Sequence, residues 1–384
     1  MAASSIIIGA GPVGLALAVA LAKQGQAVTV VDRAPACPPH DGRTIALAQG
    51  SCKILAQLDV WQTLQKSAHP IQEILVSQEK RQGNVHYRSQ DVSTDPMGYL
   101  IPMELLHSAL MARANDEARI TLVRPFVPTS LSMDQDHVRL HGEDGKTLEA
   151  DWCFGVDGRA SWVREHLGFQ TRSWDYDQVG IVATLTHTRP HNGVAYEHFL
   201  ASGPVAFLPL TPFSSALVWS QPPGHADYLM GLDEGGFCEL LAHVFPFLGE
   251  LTLSAPRRSY PLAGHFVTTP AKGRTFLVGD AAHGIHPVAG QGFNLGLRDV
   301  AWFLDQEPHL FEGSHSAALT SAYTQRRMSD IVSMTAMTHG LVKLFSNESR
   351  TLRHLRGVGL GIVNRIPPLK KVLTRHAMGL SLKG

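Results

Sequence analysis

Residues 5 to 31 constrain the fold more than any later stretch. Ser5 to Ile8 is rich in β-branched residues, Pro12 to Gln24 is apolar over helical length, and Ala27 to Val31 is β-branched again. That order opens a Rossmann-type parallel sheet. The turn after the first strand carries Gly9, Gly11 and Gly14 at Gly-x-Gly-x-x-Gly spacing. The first glycine permits a tight turn, the second close main-chain approach to a pyrophosphate, and the third close helix-to-strand packing. The helix N-terminus then points at the phosphates. Asp32 closes the second strand eighteen residues after Gly14. A carboxylate there accepts hydrogen bonds from ribose hydroxyls, and Arg33 stands beside it at the adenosine end. FAD and NAD proteins share this unit, so the dinucleotide's identity stays open.

A second glycine-rich stretch, Gly279 to Asp299, reads GDAAHGIHPVAGQGFNLGLRD. Gly279-Asp280 closes a strand, Pro287 stiffens the loop, Gly290 and Gly292 let main-chain N–H groups face a ligand, and a helix starts there. Such a helix N-terminus stabilises negative charge at N1–C2=O of a reduced flavin. With the first unit, this points to FAD. Asp157-Gly158 ends a further strand, Asp151 to Val156, at the edge where doubly wound sheets bind ligands, although such a pair is also a common turn. Arg43 is by type an ordinary surface residue; by position, on the loop after the second strand, it is a fixed charge for the pyrophosphate or flavin edge. His283 and His286 flank the second loop, and a satisfied structural histidine is the ordinary reading of either. No second Gly-x-Gly-x-x-Gly occurs, so NAD(P)H is expected to dock transiently.

The chain has 384 residues, 44% hydrophobic and 17% charged, with a formal net charge of zero. That suits one large domain or two interlocked ones, and no nucleic-acid partner is expected. Cys37, Cys52, Cys153 and Cys238 lie far apart with no metal spacing. Neither zinc nor a disulfide framework is indicated, no metal is expected, and a reducing cytoplasm fits. Apolar residues 6 to 22 contain the glycine motif and lack a basic leader, which argues against a signal peptide or membrane span. From His339 to Gly384 there are nine Lys and Arg against one acid, Glu348. This tail is either a solvated helical face or a contact for an anionic membrane or acidic partner.

The expected fold is α/β: a Rossmann-like FAD-binding domain interleaved with a β-sheet substrate domain and followed by helices. The first is assigned to 1–70, 99–172 and 264–338, the second to 71–98 and 173–263, and basic helices to 339–384. Ser173 to Pro261 is expected to be mostly sheet, and Thr129 to Leu148 a hairpin around its Gly-Glu-Asp-Gly turn.

The trio of Gly-x-Gly-x-x-Gly, Asp157-Gly158 and Gly279-Asp280 resembles the aromatic hydroxylases of the para-hydroxybenzoate hydroxylase fold. The stretch from His286 to Asp299 is similar to the signature of the ubiquinone-biosynthesis hydroxylases. DGRTIALAQGSCKILAQLDVWQTL from Asp41, GPVAFLPL from Gly203 and YTQRRMSDIVSMT from Tyr323 agree with the 2-polyprenyl-6-methoxyphenol hydroxylase type, so nearly the whole chain is covered.

The resemblance implies an FAD-dependent monooxygenase whose flavin is reduced by NAD(P)H and reacts with O2 to a C4a-hydroperoxide that hydroxylates a prenylated phenol. It implies FAD contacts at Gly9, Gly11, Gly14, Asp32, Arg43, Asp157, Gly279, Asp280, Pro287, Gly290, Gln291, Gly292, Phe293 and Asn294. Asp32 stands where many relatives have Glu. Pro102-Met103-Glu104 departs from the usual helix opening, which leaves His107 as the substitute contact. His286 and Pro287 are the expected catalytic-site residues, and Tyr196, His198, Phe199, Leu208 and Trp219 the expected substrate pocket. The expected location is the cytoplasm, with a peripheral contact at the inner membrane or with other ubiquinone-biosynthesis proteins. A hydroxylase of another ubiquinone intermediate or of a small soluble aromatic, a flavin reductase, and a non-catalytic FAD-bound scaffold are the competing readings.

Overall fold

The computed structural model describes residues 3–36, 42–78, 84–312, 316–345 and 366–380. Cys37, Asp41, Glu348 and Gly384, named above, lie outside the described residues, as do the Lys and Arg of the basic tail at Arg350, Arg353, Arg356, Arg365 and Lys383.

Ser4–Ile8 sits inside a six-stranded sheet, with Ile6, Ile7 and Ile8 all buried. It pairs in parallel with Ala27–Val31 and with Trp152–Gly155. Ile120–Val123 and Thr275–Leu277 extend the sheet in parallel, and Ala271–Lys272 adds an antiparallel edge. The crossover helix Pro12–Lys23 is buried without a break from Gly14 to Ala22. A helix apolar all round belongs in a core; this one packs on the sheet and against helices Met103–Asn115 and Gly292–Leu304.

The larger sheet has the spatial order His283–Gly284, Arg258–Val267, Thr171–His187, Ser214–Gln221, Gly203–Thr211, Val194–Leu200, Glu73–Gln78, Asn84–Arg88. Only Val194–Leu200 and Glu73–Gln78 run parallel among these neighbours. Period-two alternation gives the sheet two faces. One carries Ile181, Leu185, Val205, Phe207, Leu217 and Trp219 and packs with Phe237 and Leu241. The other carries Val182, Phe199, Ala206, Leu208 and Val218 and looks into the cavity described below.

Helices Pro223–Gly231 and Glu234–Val244 cover the first face. They interrupt a stretch, Ser173 to Pro261, that is otherwise mostly sheet as expected. Their signals are short: Pro223 opens the first helix, and Asp233 caps the second, its Oδ1 accepting the Gly236 N–H at 2.7 Å. The expected hairpin is present, Val138–Gly142 pairing antiparallel with Thr147–Ala150 around the Gly-Glu-Asp-Gly turn, and Pro128–Met133 extends it to a three-stranded meander. Asp134 supplies the additional turn, its Oδ1 accepting N–H groups of Asp136 and His137 at 2.9 and 2.8 Å.

The helix Ser316–Phe345 is anchored by Tyr323, whose buried hydroxyl donates to the Leu277 carbonyl at 2.8 Å. Helix Pro367–Ala377 brings the chain back to the larger sheet, and Met378 just beyond it is buried with Ile71, Met97 and Ala195. No described helix is long and apolar enough to cross a membrane.

Candidate active site

A cavity of about 930 Å³ lies where the glycine loops of the six-stranded sheet meet the uncovered face of the larger sheet. Its loop side is formed by Gly11, Arg43, Gly158, Arg159, Asp280, Pro287, Gly290, Gln291, Gly292 and Phe293.

The three motif glycines divide their work. Gly9 has φ +116°, and a Cβ there would lie 2.4 Å from the Val156 carbonyl oxygen; a Cβ on Gly14 would lie 2.0 Å from the Gly9 oxygen. Both positions are closed by packing. A Cβ on Gly11 or on Gly292 would meet no atom within 4 Å, because both face the cavity. His107 does not line the cavity; its Nε2 donates to the Ala10 carbonyl at 3.0 Å and ties its helix to the glycine turn. Asp32 accepts from Ala10 N–H at 2.7 Å and Ala34 N–H at 2.8 Å, and each oxygen keeps a second lone pair. Asp32 and the exposed Arg33 stand outside the cavity lining.

The second loop is held from beneath by a buried charge network. Asp299 Oδ2 accepts from Gly279 N–H and His283 Nε2–H, both at 2.8 Å, and its Oδ1 accepts from Arg327 Nε at 2.6 Å. Arg327 and Arg298 both reach Asp330, at 2.8 and 3.0 Å. Burial opposes ionisation of Asp299, but His283 and Arg327 prevail and hold its pKa at about 2. The loop's main chain is therefore fixed by charge as well as by glycine geometry. Asp280, next to it, is deep in the protein and yet open to the cavity; burial raises its pKa, and His283 and Arg159 act against that rise. Asp157 is raised by burial too, and its Oδ2 accepts the Val163 N–H at 3.1 Å. It braces the short helix Trp162–His166 and does not line the cavity.

His286 is corrected by its contacts. Its Nδ1 accepts the Val288 N–H at 3.1 Å, which leaves Nε2 to donate to Gln178 Oε1 at 3.2 Å. Burial lowers its pKa to about 4, and it is not among the lining residues. Both nitrogens are taken up in shaping the loop, so no proton of the ring is aimed at a substrate. Pro287 beside it does line the cavity. The Asn294 side chain is also taken up within the protein. Its Oδ1 accepts from Ala48 N–H and Ser51 Oγ at 2.9 and 2.7 Å, and its Nδ2 donates to Ala46 and Gly290 carbonyls at 2.9 and 2.8 Å. The side chain staples the strand Thr44–Ala48 to the loop and has no donor left for a cofactor.

Of the expected substrate residues, Phe199 and Leu208 are on the cavity face. Tyr196 touches the cavity, but its ring packs on Phe247 at 4.6 Å on the helix-covered side. His198 and Trp219 fall on that side as well. Trp219 pairs in register with Val205 and its ring lies 6.0 Å from Phe237; His198 bonds Ser77 Oγ at 2.8 Å. Strand parity excludes both from the cavity.

A family model described as an FAD binding domain matches residues 2–338. The chain is 38% identical to the ubiquinone hydroxylase UbiL of Rhodospirillum rubrum, over 98% of this chain and 90% of that one. It is 31% identical to the 3-demethoxyubiquinol 3-hydroxylase of Escherichia coli, over 97% of this chain and 98% of that one. The chain belongs to the FAD-dependent ubiquinone-biosynthesis hydroxylases. The crystal structure of p-nitrophenol 4-monooxygenase PnpA from Pseudomonas putida shares the fold, with a TM-score of 0.81 at 16% identity over 99% of this chain and 98% of that one.

The residues of this hydroxylase fit FAD: two glycines without Cβ neighbours face the cavity, a helix N-terminus ends at Gly292, and Asp280 and Gln291 stand beside it. Sequence reading missed Glu197. It lies on the cavity face between Ala195 and Phe199, and burial pushes its pKa up to about 7. Its signal was there: in Val194–Leu200, residues 195, 197 and 199 share one face.

Proposed function

We propose that this hydroxylase acts on 2-polyprenyl-6-methoxyphenol and converts it to the 1,4-benzoquinol. The make-up of the cavity wall carries the reading. Away from the glycine loops the lining is dominated by Ile71, Ile74, Val76, Phe199, Leu208 and Val218, and it continues to Met337, Leu341, Leu373 and Ala377. An apolar wall of that extent suits a hydrocarbon tail, since burying each CH2 contributes about 0.8 kcal/mol. Gly11, Arg43, Asp280, Pro287, Gly290 and Gln291 would hold FAD, with the N-terminus of Gly292–Leu304 favouring the charge that develops on its reduced ring. Bound FAD, with NAD(P)H as reductant, supplies the chemistry that inserts one oxygen atom of O2 into the ring. The protein's own share is to hold the ring, exclude water with the apolar wall and keep the loop rigid through Asp299 and His286.

The same reading gives helix Pro367–Ala377 a second role. Its inner residues Leu373 and Ala377 line the cavity, while Lys371, Val372 and Arg375 are exposed. Basic heads around an apolar side chain suit an anionic bilayer surface, and peripheral docking there would let the tail enter beside the helix.

The test is the set of prenylated phenols that accumulate when the gene is disrupted in its host, read by mass spectrometry. Build-up of 2-polyprenyl-6-methoxyphenol with loss of quinone supports the proposal. A different prenylated intermediate moves the ring position, and unchanged quinone overturns the prenylphenol reading.

A further inference from the structure

We infer that Glu197 is the proton acceptor for the substrate's phenolic hydroxyl. The inference rests on the reading of the substrate as a phenol. Glu197 stands in the middle of the cavity wall, paired in register with Ala206 on one side and Val76 on the other, so neither neighbour crowds or contacts it through a polar group. Its carboxyl has no hydrogen-bond or ion-pair partner among the described residues, although it faces a cavity whose nearby lining is Val76, Phe199, Ala206 and Val218. Its carboxyl opens onto the cavity between apolar side chains, and a phenol hydroxyl is a group that would pair with it there.

The groups around it do not substitute for that partner. Tyr196 is the titratable lining residue on its own strand, and Tyr87 lies on Asn84–Arg88, one strand beyond the adjoining Glu73–Gln78; Arg258 and Tyr260 come from the strand Arg258–Val267; Arg43, Arg159 and Asp280 belong to the glycine loops. The helices that reach this part of the cavity contribute Met337, Leu341, Leu373 and Ala377, all uncharged. Burial alone accounts for the rise of the Glu197 pKa to about 7, and no charged neighbour contributes to it. A base is most effective when its pKa lies near the working pH.

The step balances without any oxidant. The phenolic O–H bond breaks, the proton bonds to a Glu197 carboxylate oxygen, and the electron pair stays on the phenolate oxygen, where it enriches the ring positions ortho and para to it. When the hydroxylated ring regains aromaticity, its C–H bond breaks and that proton leaves to solvent, while the Glu197 proton returns to the phenol oxygen.

The experiment uses the FAD-loaded full chain with a short-chain 2-prenyl-6-methoxyphenol, comparing wild type with Glu197→Gln and Glu197→Asp. Three readouts are taken: the ultraviolet difference spectrum of bound substrate, the pH profile of product formation, and product formed per NAD(P)H consumed. In wild type the absorption of the bound phenol is red-shifted by its hydrogen bond to the ionised carboxylate, and activity rises with pH through about 7. Glu197→Gln is expected to bind the phenol with affinity within about threefold, to lose that red shift, and to form product about 100-fold more slowly. Glu197→Asp restores part of both signals. If Glu197→Gln matches wild type in rate, pH profile and bound spectrum, the inference is wrong while the phenol reading stands. If FAD-loaded wild type neither binds nor hydroxylates the phenol, both fall together.

Discussion

Replacing Asp299 by Asn tests whether the loop carrying Asp280 is held by charge. The variant keeps the shape of the side chain and removes its charge. One amide oxygen can still serve Gly279 N–H and His283 Nε2–H, but the NH2 group then meets Arg327 Nε–H, donor against donor, at a site where 2.6 Å separated the original pair. Removing one partner of a buried ion pair costs about 3–5 kcal/mol. Arg327 keeps Asp330 at 2.8 Å, so the lower end, about 3 kcal/mol, applies, or roughly a hundredfold in the folding equilibrium. The assay is urea unfolding of the FAD-loaded protein, followed by tryptophan and flavin fluorescence. A second arm uses pH. The folded pKa of Asp299, about 2, lies below its ordinary value of 3.8, so its contribution is complete above pH 4 and is lost as pH falls through about 2. By linkage it is worth on the order of 2 kcal/mol. The stability gap between wild type and variant should therefore narrow on acidification below pH 4. A variant within about 1 kcal/mol of wild type at neutral pH, or a gap that does not shrink in acid, would refute the charge-held loop.

Asp280→Ala should purify largely colourless while remaining folded by circular dichroism; a fully yellow protein removes Asp280 from FAD retention. His286→Gln keeps an acceptor and a donor, and should hydroxylate within about threefold of wild type, whereas His286→Phe strands the Val288 N–H and should lower stability by about 1–3 kcal/mol. A hundredfold loss of turnover in a stable, yellow Gln variant would return His286 to the chemistry. Deleting the chain from residue 366 onward should move the protein from vesicle-bound to free when it is mixed with anionic vesicles at low salt, and raise KM for long-tailed phenols more than for short ones; unchanged partition and KM would deny the helix both roles.

The nucleotide half was legible because its signals are backbone requirements. Gly9, Gly11 and Gly14 can be read at sight, since turn, approach and packing each forbid a side chain. The residues that fix the second loop were half legible. Asn294 and His286 stand in the right stretch, but their side chains satisfy the protein's own main chain, and sequence alone does not distinguish a residue that meets a ligand from one that shapes the loop around it. Asp299, Arg327 and Asp330 escaped because their pairing spans two helices. The substrate wall was misread for a simpler reason. Tyr196, His198 and Phe199 were grouped for their chemistry, yet period-two alternation forbids them a common face. Applied strictly, the same rule sets Glu197 with Phe199 and sends Trp219 to the helix-covered side. That rule could not be applied to Ser173–Pro261 as a whole, because the helices that decide which face is covered were announced only by Pro223 and Asp233.

Helix Pro367–Ala377 gives the cavity a history as well as a shape. The loops that face FAD are all present once the chain has reached Leu304, whereas the wall receives Leu373 and Ala377 only some seventy residues later. Arg327 and Asp330, which anchor the second loop, also precede Leu373 and Ala377 in the chain, so the cofactor's half of the site is encoded complete ahead of the residues that close the wall.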